Sequence, residues 1–120
     1  MPNISAAKLP LSFGVQAGGF IFISGQGPVD RRTNEVVLGT IEVQTTKVLE
    51  NLKAVAESAG ATLADIVKVT VFLSRGEDFE KMNAVYRTFF PKDPPARSTI
   101  LAGLARKGMM VEIEAIAYKP

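Results

Sequence analysis

The stretch "VLENLKAVAESAGATLADIVKVTVFLS", Val48 to Ser74, changes its hydrophobic period halfway along. In its first part Val48, Leu49, Leu52, Val55, Ala56 and Ala59 recur at helical spacing. Lys47, Glu50, Lys53 and Glu57 take much of the opposite face. That pattern predicts an amphipathic helix with one side to bury. It begins near Thr40 and runs about five turns. Gly60 suits the left-handed backbone that closes such a helix. From Asp65 the period falls to two. Val67, Val69, Val71 and Leu73 alternate with Lys68, Thr70, Phe72 and Ser74, giving one apolar and one mixed face. A helix followed at once by a half-buried strand implies an α+β layer structure.

Working outward toward the N-terminus, "GGFIFISGQGPVD" (Gly18 to Asp30) holds the strand formers Phe20 to Ile23 between glycine-rich turns. "LSFGVQ" before it is a hairpin partner, with Gly18-Gly19 as the turn. "DRRTNEVV" is a polar loop leading to a brief strand at Val36-Val37. Toward the C-terminus, "EDFEKMNAVYRTFF" places Phe79, Met82, Tyr86 and Phe89 on one helical stripe, read as core. Glu77 or Asp78 favours the start of that helix through the dipole, and Pro91 stops it. In "ARSTILAG", Arg97, Thr99 and Leu101 share a face, opposite Ser98, Ile100 and Ala102. In "MMVEIEAIAY" (Met109 to Tyr118), Val111, Ile113, Ala115 and Ala117 face away from Glu112 and Glu114.

The order is therefore β-β-(β)-α-β-α-β-β, without repeats or linkers: one α+β domain over residues 1–120, a mixed sheet with two helices packed on one face. The uncovered face is expected to carry Phe72, Thr99, Leu101, Ile116 and Tyr118. A half-apolar face in water favours symmetric self-association.

Composition narrows the chemistry. The chain has 120 residues, 47% of them hydrophobic and 22% charged, as in an ordinary soluble protein. The net charge of +2 is too small to argue for nucleic-acid binding. No apolar run reaches the ~18 residues of a membrane span. The N-terminus "MPNISAAKLPLSFGVQ" lacks the apolar core of a signal peptide, so a cytoplasmic location is expected. There is no cysteine and no histidine. Disulfides, thiolate or imidazole metal sites, cysteine nucleophiles and Ser-His-Asp catalysis are excluded.

Arg97 is the residue that asks for a function. A strand entering a core rarely opens on arginine, so its side chain points either to bulk water or into a site that uses a fixed positive charge. Paired as a hairpin, "ARSTILAG" and "MMVEIEAIAY" would put Arg97 and Glu112 on one face. A plain ion pair or two solvated charges account for this spacing. So does a site for a small carboxylate, which the planar guanidinium fork binds bidentately. Thr99 would add a hydroxyl. "SGQGP" is most simply a tight turn, although its glycines also free backbone N–H groups that suit an anion. Asn83 faces either a pocket or solvent. Arg31-Arg32 and Arg106-Lys107 are solubility charges in loops, with no aromatic residues placed for stacking on RNA.

Together "FISGQGPVD", "VLENLKAVAESAGATLADIVKVTVFL", "DFEKMNAVYRTFF" and "PPARSTI…VEIEAIA" resemble the YjgF / reactive intermediate deaminase (Rid) family over about Phe13 to Tyr118. The resemblance implies a chorismate-mutase-like (YjgF) fold and a homotrimer with intersubunit clefts. It implies hydrolysis of enamines and imines such as 2-aminoacrylate to 2-keto acids and ammonia, an activity of the 2-iminobutanoate/2-iminopropanoate deaminase type that needs no cofactor and no metal. It places the substrate carboxylate on Arg97 and the acid or water-orienting role on Glu112. Phe13, Ser24, Gly25, Asn83 and Thr99 fall at cleft positions. The partner implied is a small carboxylate-bearing imine or enamine, with no nucleic acid and no membrane. Two departures reshape the cleft: Thr99 stands where a cysteine is common, and Ser12-Phe13-Gly14 lacks the family's tyrosine. The alternatives are a specialised catabolic deaminase acting on aminomuconate-like enamines, and a non-enzymatic carboxylate-binding or chaperone-like stress protein.

Overall fold

The structure, a computed structural model, describes residues 3–5 and 9–120. Residues 1–2 and 6–8, part of the N-terminal stretch interpreted above as lacking a leader's apolar core, lie outside the described residues. The elements in chain order are β1 (Asn3–Ser5), β2 (Ser12–Ala17), β3 (Phe20–Gln26), β4 (Val29–Asp30), β5 (Glu35–Val36), α1 (Ile41–Ser58), β6 (Ile66–Leu73), α2 (Phe79–Phe89), β7 (Ala96–Leu101) and β8 (Val111–Tyr118). One-turn 3-10 segments at Leu63–Asp65 and Gly76–Asp78 lead into β6 and α2. The expected α+β order holds. β1 and the two-residue β4, which pairs with β5, are additions to it.

The deciding stretch folds largely as its period requires. The Thr40 hydroxyl caps α1 by accepting from the Val43 N–H at 3.2 Å. At the other end Gly60 has φ +84°. The Ala61 N–H reaches the Ala56 carbonyl and the Gly60 N–H the Glu57 carbonyl, each at 3.0 Å, the bond pair of a Schellman end. Val48, Leu49, Leu52 and Ala56 are fully buried. Each large one adds about 1.5–3 kcal/mol of burial free energy. In β6 the alternation slips once. The register passes from Ile66↔Ala117 to Lys68↔Ile116, a bulge that spends Val67. Ile66 therefore takes the inward place expected for Val67, which is 48% exposed.

The main sheet has six strands in the order β1-β2-β3-β8-β6-β7. All neighbours are antiparallel except β6 and β7, whose parallel pairing requires the crossover that α2 provides. β7 and β8 do not form the hairpin considered from sequence, because β6 lies between them. The physical reason is burial. β8 offers an unbroken inward row, Val111, Ile113, Ala115 and Ala117, and earns a central place. β7 carries Arg97, Ser98 and Thr99 and is tolerated at an edge.

Helices α1 and α2 cover one side of this sheet. Ile21, Ile23, Val69, Val71, Leu73, Val111 and Ile113 meet Val48, Leu49, Leu52 and Met82 there. The parallel register sets Arg97 beside Val69, Thr99 beside Val71 and Leu101 beside Leu73. Thr99 and Leu101 thus lie on the helix side, not on the uncovered face where the alternation alone had put them. The uncovered face carries Phe20, Phe22 and Ile100, with Phe72, Ile116 and Tyr118 as expected. Phe20 and Tyr118 pack with their rings tilted, 4.9 Å between centroids.

Candidate functional site

The candidate residues gather in two places. The first lies on the helix side of edge strand β7. Arg97, the second residue of that strand, is half-buried, and its guanidinium carbon sits 4.7 Å above the Tyr86 ring and 5.7 Å from the Phe79 ring. Both rings belong to α2, whose face they share at helical spacing. Phe79 is 42% exposed, which corrects its assignment to the core. The stripe splits instead, with Met82 and Tyr86 buried and Phe79 left at the surface beside Arg97. Among the described residues no carboxylate lies within ion-pairing distance of Arg97. A half-buried guanidinium over aromatic faces, with no carboxylate paired to it among the described residues, is suited to receive an anion. Thr99 follows on the same face. Asn83 is half-buried on α2, and its Oδ1 is buried without a partner.

The turn before α2 is anchored independently. Asp78 is 4% exposed and accepts from Arg75 Nε at 3.2 Å and Nη2 at 3.1 Å. Asp78 therefore serves this fork and makes no side-chain cap to the helix.

The second place lies on the uncovered side, where β3 meets β8. The β3–β8 register skips between Ile23 and Gln26, so Ser24 and Gly25 form a bulge. The Ser24 hydroxyl donates to the Ser12 carbonyl at 2.6 Å. Gln26, fully buried, donates to the Ser24 carbonyl at 2.8 Å and accepts from Arg31. From α1, Asn51 Nδ2 donates to the Gly27 and Val29 carbonyls at 3.0 and 2.9 Å. "SGQGP" is thus a bulge and turn held by side-chain amides. Gly25 leaves room for a carboxylate: a Cβ there would collide with Glu112 Oε2, stand 3.0 Å from its Cδ and displace that side chain.

Glu112 lies opposite Phe72, away from the helices. Burial pushes its carboxyl pKa up, and the neighbouring Glu114 adds to the rise. A carboxyl so placed holds its proton to higher pH than usual and suits proton transfer. Glu114, opposite Thr70, lines a hollow of about 290 Å³ with Ser24, Lys68, Thr70 and Phe22. Phe13 belongs to neither group by its contacts: it packs at the rim of the core with the Arg31 guanidinium 3.9 Å above its ring.

Within one chain the register therefore brings Arg97, Thr99 and α2 together, and separately Ser24, Gly25 and Glu112. Arg97 and Glu112 occupy opposite faces of the sheet. Tyr86 went unnoticed in the sequence because its stripe signalled core. The available signal was its hydroxyl, since a tyrosine in a buried stripe needs a hydrogen-bond partner that phenylalanine does not. Among the described residues no cluster of acidic side chains is arranged to hold a metal ion. No helix of the described residues is long and apolar enough to cross a membrane.

Comparison with known proteins gives concordant matches. The family model described as endoribonuclease L-PSP matches residues 3–119. A RutC family protein of Pyrococcus horikoshii is 49% identical over 110 residues, covering 92% of this chain and 87% of that one. The solved YjgF gene product of E. coli superposes with a TM-score of 0.89 at 40% identity, covering 98% of this chain and 94% of the other. RidA from an Antarctic Psychrobacter gives a TM-score of 0.88 at 37% identity, covering 97% and 94%.

Proposed function

Because this chain belongs to the endoribonuclease L-PSP family, that of the YjgF and RutC proteins, we propose that it hydrolyses small carboxylate-bearing enamines and imines to 2-keto acids and ammonia. The observation that carries this proposal is Arg97, half-buried against Tyr86 and Phe79 with no acidic partner among the described residues. A fork so placed is an anion receptor, and a charged hydrogen bond of ~1.5–3 kcal/mol orients a small substrate.

The chemistry then needs little else. The enamine takes a proton at carbon, gives one up from nitrogen and becomes an imine. Water adds to the C=N carbon, and the resulting carbinolamine expels ammonia as its C–N bond breaks. Arg97 holds the carboxylate and draws electron density from the carbon under attack. Glu112, with its raised pKa, exchanges the protons and orients the water, a role worth ~10²–10⁴-fold. Arg97 and Glu112 face opposite ways from one sheet, which supports a site closed between copies of the chain, in a homotrimer. Arg97, Thr99 and Asn83 would come from one copy, and Ser24, Gly25 and Glu112 from the next.

RNA cleavage, which the family's description names, gains no support from a chain without histidine and with a net charge of +2. The test is a coupled assay. An amino-acid oxidase or a lyase supplies imines from a panel of amino acids, semicarbazide competes for them, and keto-acid release is followed. The protein should accelerate release and Arg97→Ala should not, while keeping its assembly. Acceleration by both would remove Arg97 from the reaction.

A further inference from the structure

Tyr86 is built beyond what packing requires. It is 6% exposed, stacks on Phe90 at 4.7 Å between centroids, and supports the Arg97 guanidinium at 4.7 Å. Phenylalanine would make the same contacts. The Tyr86 hydroxyl is instead buried with no hydrogen-bond partner, a feature that lowers stability unless something satisfies it. Asn83, three residues earlier and so on the same side of α2, carries a second orphan in its Oδ1. Burial pushes the Tyr86 phenol pKa up, and Arg97 pulls it partly back through its charge and through guanidinium N–H groups close to the phenol oxygen, short of a formed hydrogen bond. The phenol is therefore protonated near neutral pH and has an O–H to give.

We propose that Tyr86 is a second carboxylate-binding residue: its ring sets the plane of the Arg97 fork, and its hydroxyl donates to the anion that Arg97 receives. This rests on the carboxylate-binding reading of Arg97 given above. The unliganded protein then carries an unsatisfied hydroxyl that ligand binding satisfies, so part of the affinity comes from relieving a strain of the empty site. It also explains why the guanidinium needs no acidic neighbour to hold it. Two aromatic faces fix its plane without neutralising its charge.

The test uses Tyr86→Phe, which keeps the ring, and Tyr86→Leu, which removes ring and hydroxyl. Each is assayed as the assembled protein. The readouts are thermal unfolding, calorimetric binding of 2-oxobutanoate as a stable carboxylate, and KM and kcat for imine hydrolysis. Tyr86→Phe should unfold at the same or a higher temperature. It should bind 2-oxobutanoate about tenfold more weakly, as loss of one charged hydrogen bond requires. KM should rise by a similar factor while kcat changes less than about twofold. Tyr86→Leu should weaken binding further. Unchanged affinity and KM in Tyr86→Phe would overturn the proposal and leave the hydrolase reading standing. If the wild-type protein turns over no imine, yet binds 2-oxobutanoate more tightly than Tyr86→Phe does, the hydrolase reading fails and this one holds. Absence of carboxylate binding by wild type overturns both.

Discussion

Gly25 lies so close to Glu112 that any side chain at position 25 would require the Glu112 carboxyl to swing aside. Burial is the larger cause of the raised pKa of the Glu112 carboxyl, with Glu114 second. The sign of the consequence follows. A carboxyl whose folded pKa lies above its unfolded one binds its proton more tightly when folded. Its contribution is most favourable below the ordinary carboxylate range and is lost as pH rises through the raised value. Glu112→Gln, neutral at every pH, should therefore unfold at a higher temperature than wild type at neutral pH. The gap should close near pH 4, about where free carboxyls take up their protons. A gap that widens on acidification would mean that Glu112 is stabilised as a carboxylate. The sequence marked Arg97 and Glu112 as chemistry-bearing because charged residues interrupt apolar strands. It could not show that they face opposite ways. That depends on which strand each pairs with, and pairing is non-local.

Among the elements, α1 was legible almost to the residue, since its apolar period, Thr40 cap and Gly60 end are all local signals. The β2–β3 hairpin at Gly18-Gly19 was legible for the same reason. The bulge at Val67 and the placement of β6 between β7 and β8 were not, because alternation is silent about neighbours. The buried amides of α1 were also hidden. Gln44 ties Val37 and Gly108 to the helix through their carbonyls and accepts from the Met110 N–H. Asn51 does the same for Gly27 and Val29. On a helical wheel both residues are merely polar positions beside an apolar stripe. Asn51→Leu would strand two carbonyls beneath the Ser24–Gly25 bulge. It should cost about 2–3 kcal/mol, seen as a lower urea midpoint at unchanged slope. An unchanged midpoint would mean that water replaces the amide.

At the scale of the whole molecule the two sheet faces have different fates. One is sealed by α1 and α2 around the core. The other leaves Phe20, Phe22, Ile100 and Tyr118 each more than two-fifths exposed, together with Ser24 and Glu112 at its margin. Composition and alternation foresaw an uncovered apolar face, though not that Arg97 and Thr99 would lie behind it. On the proposed function, copies pack through the open face and the Glu112 of one meets the Arg97 of the next. The measurement that tests it most directly is subunit mixing. Arg97→Ala and Glu112→Gln proteins are unfolded, combined in equal amounts, refolded together and assayed for keto-acid release from imines. Each alone should be inactive. In a mixed cyclic assembly roughly a quarter of the interfaces pair an intact Arg97 with an intact Glu112, so activity should return to about that fraction of wild type. A mixture as silent as its parents, from chains shown to have exchanged, would contradict a site shared between copies.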